Sequence, residues 1–155
     1  MSISKRLKDF LDENKVKYTI ITHSKAYTAQ EIASSSHIPG KELAKTVVIK
    51  IDGEFALAVL PASDRVSCRQ FVDTLGAKSV KLASEDEFRG LFPDCETGAM
   101  PPFGNLYNLS TYVASNISDK GNIAFNAGNH VELIKMKFSD YENLVKPTII
   151  HFELD

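Results

Sequence analysis

The first apolar positions of the chain recur at helical spacing. Four of them stand at i, i+4, i+7 and i+8 with charged residues between them, which predicts an amphipathic helix. From residue 16 to residue 20 apolar residues occupy every second position, and this alternation predicts a strand. The apolar members of the helix are Ile3, Leu7, Phe10 and Leu11.

The strongest local signal is a β-hairpin in the second quarter of the chain. Thr46–Ile51 and Glu54–Leu60 are runs of strand length that are rich in apolar residues, and only Asp52 and Gly53 separate them. An Asp-Gly pair adopts the positive φ angles that a two-residue type I′ turn requires. We therefore predict two antiparallel strands joined by a tight turn.

Three capping boxes predict further helix starts. In each of them a serine or threonine is followed three residues later by a glutamate, so that both side chains bond free amides at the helix start. A helix over residues 67–75 should end at Gly76, because glycine suits the left-handed position after a helix. The capping boxes are Thr28–Glu31, Ser84–Glu87 and Ser139–Glu142, and the last begins a helix that Pro147 ends.

The remaining apolar runs predict short strands around residues 79–82, 122–127, 131–136 and 148–152. Gly128-Asn129-His130 joins the second of these to the third. The order of helices and strands does not follow a repeated βαβ series. We therefore predict one mixed α/β domain over residues 1–155, in which antiparallel pairs dominate.

Composition narrows the class of protein. The chain has 155 residues, 43% of them hydrophobic and 25% charged, which is usual for a globular domain with one core. The longest apolar run, Phe55–Pro61, is too short to span a membrane, and charges interrupt the start of the chain where a secretory signal would be apolar. Two cysteines and four scattered histidines match no disulfide framework or zinc motif. We expect a cytoplasmic protein, with no sign of a metal or organic cofactor.

Charge is distributed unevenly along the chain. The net charge of −2 argues against a general DNA-binding protein, whose surface is usually strongly basic. Residues 1–50 hold nine Lys/Arg and five Asp/Glu, a balance of +4, whereas residues 51–155 hold nine and fifteen, a balance of −6. The basic first third offers a surface for a phosphate backbone, and ordinary solvated faces are the alternative interpretation.

Three positions carry residues that local structure does not readily explain. Lys45 shares a strand face with the apolar Val47 and Ile49, so its ammonium must reach water, pair with an acid or line a pocket for an anion. The loop Gly98–Gly104 is stiffened by two prolines, and its free amides form a candidate cradle for an oxyanion or phosphate. His130, at a strand start, can hold a ligand group by a hydrogen bond. A surface lysine, a rigid turn and a turn histidine remain the structural alternatives.

The cysteines are weak candidates for a nucleophile. Cys68 lies in a helical apolar pattern and is interpreted as a core residue. Cys95 stands between Asp94 and Glu96, and acidic neighbours raise the pKa of a thiol and lower its thiolate fraction. We therefore reject a cysteine–histidine hydrolase.

Three segments of the chain are informative together because of their order and spacing. They are Glu42–Val48, which contains Lys45, then Thr97–Gly104, and then Ala127–His130 with the strand and helix that follow. They resemble the lysine-bearing strand, the glycine–proline loop and the C-terminal part of the YbaK/prolyl-tRNA synthetase-associated domain family, the aminoacyl-tRNA editing deacylases. The resemblance covers nearly the whole chain. It implies a mixed β-sheet that curls toward a barrel and is flanked by short helices.

The resemblance also implies a reaction and a set of site residues. The reaction is hydrolysis of the ester between a wrongly attached amino acid and the 3′ adenosine of a tRNA, by a free-standing enzyme that acts in trans. Such an ester is already activated, so placement and oxyanion stabilisation suffice without a serine or cysteine nucleophile. By similarity, Lys45 would hold the terminal phosphate or the ester region, Gly98 would position water or a ribose hydroxyl and bind the carbonyl through amides, and His130 would orient the substrate. The implied substrate-binding residues are Tyr27, Thr46, Ala99, Met100, Pro101, Pro102, Phe103, Gly128 and Asn129.

Two departures from the family pattern touch the pocket. Thr46 stands where some alanine-specific members carry asparagine, and the loop Met100–Phe103 differs from that of cysteine-type members. A small pocket separates such side chains by only about 1–3 kcal/mol, so alanine, serine, cysteine and threonine all stay open, with tRNA-Pro as the favoured carrier.

The expected partners are the 3′ end of an aminoacyl-tRNA and, as an open possibility, a synthetase, with no DNA and no membrane. Two other functions stay open as well. One is a non-catalytic module of the same fold that binds aminoacyl-tRNA or a synthetase. The other is a small hydrolase of acyl esters that do not carry tRNA.

Overall fold

The structure is a computed structural model that describes residues 2–23, 38, 42–118 and 121–151. The capping box Thr28–Glu31 and the expected pocket residue Tyr27 lie outside the described residues. The helices are α1 (Lys5–Glu13), α2 (Cys68–Leu75), α3 (Glu85–Phe88), α4 (Ser115–Ser118) and α5 (Phe138–Val145), with 3-10 turns at Arg89–Leu91 and Gly104–Leu106. The strands are β1 (Tyr18–Thr22), β2 (Ala44–Ile51), β3 (Glu54–Pro61), β4 (Val80–Leu82), β5 (Ser110–Ala114), β6 (Asn122–Asn126), β7 (Glu132–Lys137) and β8 (Thr148–Ile150). Among the described residues, none of the helices has the length and apolar character needed to cross a membrane.

The strands form two sheets in a mixed α/β fold. Five strands lie in the order β4-β2-β3-β5-β8 and three in the order β1-β7-β6. Four strand pairs are antiparallel, as predicted, while β3–β5 and β5–β8 are parallel. An isolated parallel bridge between Leu43 and Ala124 connects the two sheets. The pairings within the described part of the chain do not close into a barrel, so the barrel-like part of the expected fold is not confirmed.

The predicted hairpin is confirmed and supplies two neighbouring inner strands of the larger sheet. Strands β2 and β3 pair along their whole length. Both turn residues have positive φ, 51° at Asp52 and 88° at Gly53, as an Asp-Gly turn of this length requires. The Asp52 carboxylate also accepts the amides of Lys78 and Ser79, each at 2.9 Å, and this ties the turn to the segment that precedes β4.

The helix signals around α2 and α3 are confirmed. Ser67 accepts the amide of Gln70 at the start of α2, and Gly76 ends the helix with a φ of 68°. At α3 the capping box is complete, because Ser84 accepts the amide of Glu87 while the Glu87 carboxylate accepts the amide of Ser84. Local sequence therefore sets these boundaries.

The prediction of a third capping box at Ser139 is wrong. Helix α5 begins at Phe138 with Lys137 as its N-cap and no capping side chain, so Ser139 lies inside the first turn. Strand β7 runs directly into this helix. Phe138 is buried and its amide donates to the carbonyl of Gly121 at 2.9 Å, so packing rather than a local cap sets the start.

Strand β5 has no counterpart among the predictions. It lies between β3 and β8 and is parallel to both. Parallel neighbours come from distant segments, so no adjoining turn in the sequence indicates this strand. In the structure, Thr111 and Val113 are buried and Tyr112 between them is half-buried. Five residues are too few to separate such a run from a loop by periodicity alone.

The largest hydrophobic cluster packs α1 and α5 against the smaller sheet. Leu7 and Leu11 of α1 are fully buried there, together with Phe125 of β6 and Tyr141 of α5. These two leucines are the inward positions that the helical spacing predicted. The apolar face of α1 therefore explains why the start of the chain is helical.

The N-cap of α1 anchors this helix to a distant loop. Ser4 accepts the amide of Leu7 at 3.2 Å and donates its own hydroxyl proton to Asp94, which also accepts the Tyr107 hydroxyl at 2.9 Å. Burial raises the pKa of Asp94, but the hydrogen bonds from Ser4 and Tyr107, together with a backbone hydrogen bond and the charge of Arg6, lower it by more. The net result is a pKa below the ordinary value of an aspartate.

Replacing Asp94 by asparagine is expected to lower the free energy of unfolding by about 1 kcal/mol at pH 7, because an amide cannot accept both hydroxyl protons as a carboxylate does. A pKa that is lowered in the folded state stabilises it above the unfolded value, and this contribution disappears as the pH falls through the folded value. The difference between wild type and variant should therefore shrink below about pH 4. Urea unfolding at pH 7 and below pH 4 measures it.

The matched control for this experiment is Asp73→Asn, an exposed aspartate of α2. That variant should unfold like the wild type at both pH values. An Asp94→Asn difference that stays constant down to low pH would mean that the charge of Asp94 does not stabilise the fold.

Candidate active site

The structure brings two of the three predicted segments together. We call residues 97–104 the Gly98 loop and residues 127–130 the His130 turn. The Gly128 amide donates to the Ala99 carbonyl at 3.0 Å, and the Glu96 amide donates to the Gly128 carbonyl at 2.8 Å. The Glu96 carboxylate accepts the His130 amide at 2.8 Å. The loop and the turn therefore form one hydrogen-bonded unit.

The His130 imidazole lies against the Gly98 loop. Its Nε2 is 2.9 Å from the Thr97 carbonyl oxygen. A carbonyl only accepts hydrogen bonds, so Nε2 carries a proton, and in a neutral imidazole Nδ1 is then the acceptor. A Cβ at Gly98 would lie 3.5 Å from Cε1 of this ring, and Gly98 has a φ of 87°. The positive φ favours glycine at this position, whereas a Cβ would make only an ordinary van der Waals contact with the ring.

The expected cradle of free amides in the Gly98 loop is only partly present. The Ala99 amide donates to the Glu96 carbonyl at 3.0 Å, and the Phe103 amide donates to the Pro101 carbonyl at 2.8 Å. These two donors are therefore occupied within the loop, which corrects the prediction. The Gly98 amide instead points at the Met100 thioether, 3.2 Å away, and sulfur is a weak acceptor that a stronger one can replace.

Two of the expected pocket residues differ in their surroundings. Met100 lines a small, open cleft beside the Gly98 loop. Phe103 is fully buried in the core, where its ring packs edge-on against Phe125 and Tyr141, so it does not wall a substrate pocket as expected. The other residues that line the cleft are Phe88, Arg89, Phe92, Cys95, Glu96 and Thr97.

The two prolines of the Gly98 loop and Ala99 are buried as well. The Pro102 carbonyl accepts the buried Tyr141 hydroxyl at 2.6 Å, which fixes this part of the loop to α5. Pro101 supplies the carbonyl that the Phe103 amide bonds. In this structure these residues hold the loop in place rather than offering side chains to a ligand.

Gly128 and Asn129 have clear structural reasons for their identity. A Cβ at Gly128, whose φ is 101°, would lie 3.0 Å from the Ser4 backbone nitrogen. The Asn129 side chain is 1% exposed, and its oxygen accepts the amides of Val131 and Glu132 at 2.9 and 2.8 Å. Both residues shape the His130 turn, and through it they position the imidazole.

Lys45 and Thr46 lie at the start of β2, on opposite faces of the strand. Both are half-buried. Thr46 shares its face with Val48, which packs in one cluster with Met100. Lys45 shares the other face with Ile49, which packs against Phe71 of α2, as strand alternation predicted. Among the described residues, no hydrogen bond or ion pair joins Lys45 to the Gly98 loop or to the His130 turn.

The described residues supply no activated nucleophile beside this unit. Burial, aided by the Asp94 charge, raises the pKa of Cys95 to about 11. The rise agrees with the sequence prediction, although burial rather than the acidic neighbours is its main cause. The Ser4 hydroxyl is bonded to Asp94 and its side chain is 1% exposed. Cys68 is half-buried against the core, and within the described ranges no cluster of His, Cys, Asp and Glu is placed to hold a metal ion.

Glu96 is the site residue that sequence reasoning missed. The sequence presents it only as an acidic neighbour of Cys95, whereas the structure places its carboxylate on the His130 amide. No spacing rule links residues 96 and 130, which are 34 positions apart. The only local signal for Glu96 as a site residue is its position next to the glycine–proline loop.

Known proteins with similar sequences point to one family. A family model described as "Aminoacyl-tRNA editing domain" matches residues 23–144. The multifunctional Ser/Thr-tRNA deacylase ProXp-y of Escherichia coli K12 is 28% identical over 155 residues, which cover 95% of this chain and 90% of that protein. The prolyl-tRNA editing protein ProX of Acetoanaerobium sticklandii is 23% identical over 142 residues, 88% of this chain and 86% of that protein.

A solved structure agrees with the fold. A crystal structure described as a candidate trans-editing enzyme for prolyl-tRNA synthetase superposes with a TM-score of 0.81 over 98% of this chain and 97% of the other, at 16% identity. At that identity the likeness concerns the fold alone. The family model, in contrast, spans most of the sequence, including the Gly98 loop and the His130 turn. The chain therefore belongs to the family of aminoacyl-tRNA editing domains.

Proposed function

We propose that this protein is an aminoacyl-tRNA deacylase that acts in trans and hydrolyses the ester of a small, wrongly attached amino acid. The observation that carries the proposal is the unit formed by the Gly98 loop and the His130 turn. It presents a weakly engaged amide, an imidazole acceptor and an adjoining cleft at one place. The full-length similarity to a deacylase, over 90% of that relative, supports the same reaction.

The proposed chemistry needs no covalent intermediate. Water attacks the ester carbonyl carbon, the bond to the ribose oxygen breaks, and that oxygen takes up a proton to leave free tRNA and an amino acid. The carbonyl oxygen becomes an oxyanion on the way, and fixed donors stabilise it. We assign this role to the Gly98 amide, which would exchange the Met100 sulfur for the oxyanion.

The other two roles follow from charge and from hydrogen-bonding capacity. His130, with Nε2 donating to Thr97, offers Nδ1 to a hydroxyl of the terminal adenosine or to the attacking water. Lys45 supplies a cation for the terminal phosphate or the ester region. Both groups act by placement, which suits an ester that is already activated.

The substrate is proposed as a small amino acid on tRNA, with serine and threonine first, then alanine and cysteine. The name of the similar deacylase specifies Ser/Thr-tRNA, and Met100 lines only a small cleft beside the Gly98 loop. tRNA-Pro is the favoured carrier, since the second relative is named a prolyl-tRNA editing protein. We further propose that residues 1–155 work as one editing domain in the cytoplasm, with a synthetase as a supplier of mischarged tRNA.

A deacylation panel tests the proposal. Purified protein is incubated with tRNA-Pro, tRNA-Ala and tRNA-Thr that carry Ser, Thr, Ala, Cys or Pro, and the rate of spontaneous hydrolysis is subtracted. We expect Ser or Thr esters to be cleared about 100-fold or more above the spontaneous rate, which is the scale of one fixed oxyanion donor, and Pro esters to persist. The measurement is the loss of labelled aminoacyl-tRNA with time.

The same panel separates the alternatives. Equal turnover of short amino-acid esters without tRNA would favour the small-ester hydrolase. Failure on every pair, combined with tight binding of a non-hydrolysable aminoacyl-tRNA, would favour a binding module of the same fold. Either result would remove the deacylase proposal.

A further inference from the structure

We propose that Glu96 is a positioning residue of this site, whose carboxylate holds the His130 turn against the Gly98 loop and thereby fixes the imidazole. The inference rests on the proposed function for its catalytic consequence. The contact itself does not depend on that function.

Three polar groups of Glu96 join the two segments. Its carboxylate oxygen Oε1 accepts the His130 amide at 2.8 Å, and its own amide donates to the Gly128 carbonyl at 2.8 Å. Its carbonyl accepts the Ala99 amide at 3.0 Å. One residue therefore contacts Gly128 and His130 of the His130 turn and Ala99 within the Gly98 loop.

Only the side-chain contact depends on which residue occupies position 96. The two backbone contacts of Glu96 persist with any side chain, whereas the His130 amide needs the carboxylate. A charged acceptor makes a stronger and shorter hydrogen bond to an amide than a neutral one does. The His130 amide is therefore held at the point where the imidazole leaves the backbone.

The position of the ring depends on this geometry. The His130 Nε2 donates to the carbonyl of Thr97, which is the residue directly after Glu96. Glu96 thus sets the distance between the backbone that carries the imidazole and the carbonyl that orients it. Without the side-chain contact, Gly128 stays bonded to the Glu96 backbone, but the His130 amide is released and the ring can lose its bond to Thr97.

The neighbouring carboxylate of Glu132 makes a different contact. Its Oε1 accepts the Asn129 side-chain amide at 3.1 Å, and this contact lies within the turn and the start of β7. It does not reach the Gly98 loop in the described structure. The link between loop and turn through a side-chain carboxylate is therefore specific to Glu96.

The test compares Glu96→Ala and Glu96→Gln with the wild type and with Glu54→Ala, an exposed glutamate at the hairpin. Glutamine keeps an oxygen that accepts the His130 amide, while alanine keeps none. We expect Glu96→Ala to lower kcat for deacylation by about 10- to 100-fold with little change in KM, as misplacement of a catalytic group does. Glu96→Gln should retain most of the activity, and Glu54→Ala should match the wild type.

A second measurement needs no substrate. Two-bond ¹⁵N–¹H correlation spectra of the imidazole side chains should show His130 as the Nε2–H form in wild type and Glu96→Gln, and as a mixture of forms in Glu96→Ala. A wild type that hydrolyses no ester would contradict the proposed function, and these spectra would still test the contact. Thermal unfolding of each variant identifies any that fail to fold.

Two results would overturn the inference. If Glu96→Gln loses as much activity as Glu96→Ala while its His130 stays in the Nε2–H form, the negative charge acts on the substrate directly and the acceptor role is wrong. If Glu96→Ala keeps both the wild-type kcat and the Nε2–H form of His130, the imidazole is positioned without Glu96.

Discussion

Replacing Lys45 by alanine is expected to lower kcat/KM for deacylation by about 100-fold or more, the scale of losing one fixed charge or donor at a reacting centre. Lys45 is half-buried on an apolar strand face and lies opposite Leu60 of β3. No carboxylate in the described part of the chain forms an ion pair with it. The ammonium of Lys45 is therefore available to an anionic group of the substrate.

The free energy of unfolding should change little in this variant, by less than about 1 kcal/mol, because no ion pair is lost. Lys50→Ala is the matched control, since Lys50 lies on the other face of the same strand and pairs with Glu87 at 2.5 Å. It should lose at most about 1 kcal/mol of stability and no activity. A folded Lys45→Ala protein that deacylates as fast as the wild type would remove Lys45 from the catalytic set.

Replacing Gly104 by alanine is expected to lower the free energy of unfolding by about 3 kcal/mol or more, the upper range for overpacking. An added Cβ would lie 2.4 Å from the Thr111 hydroxyl oxygen and 2.5 Å from the Leu109 carbonyl oxygen. The carbonyl belongs to the backbone, so no side-chain rotation relieves the contact. The Gly104 amide also donates to the Thr111 hydroxyl at 3.0 Å, and a shift would weaken this bond.

Thermal unfolding should show the effect as a drop in Tm of roughly 6–12 °C for a chain of this size. Gly90→Ala is the matched control, because Gly90 also lies in a 3-10 turn and an added Cβ there meets nothing within 4 Å. Its Tm should stay near that of the wild type. A Gly104→Ala protein as stable as Gly90→Ala would mean that the turn before β5 adjusts without cost.

The candidate site illustrates how a short motif acquires its geometry. In the Gly98 loop the positive φ of Gly98 favours glycine, and the carbonyl of Pro102 accepts the Tyr141 hydroxyl of α5. The His130 turn owes Gly128 to the close approach of Ser4. The loop and the turn are therefore held by partners that are distant in sequence, Tyr141 and Ser4.

Much of the fold was predictable because the relevant contacts are local. The Asp52-Gly53 turn, the cap at Ser67 and the capping box at Ser84 each act within four residues. Strand β5 and the start of α5 were not predictable in this way. Both depend on pairing or burial against segments that are far away along the chain.

The site was predictable only in part, for the same reason. The sequence marked Lys45, Gly98 and His130 as unusual, but it could not tell which of them meet. Phe103 fits a pocket wall by composition, and its burial against Phe125 and Tyr141 is a property of the packed core. The roles of the three residues in catalysis stay predictions until the variants are measured.

The sequence by itself determined the mixed α/β class, the central hairpin, the caps of α2 and α3 and the family, because each follows from short-range patterns or from the order of motifs. Tertiary structure alone decided that the Gly98 loop and the His130 turn form one unit and that the Glu96 carboxylate joins them. It also decided that Val48 of β2 packs in one cluster with Met100, whereas Ile49 packs against Phe71 of α2. Hydrogen bonds between residues 34 positions apart leave no local periodicity in the sequence, so only the folded chain brings these groups within bonding distance.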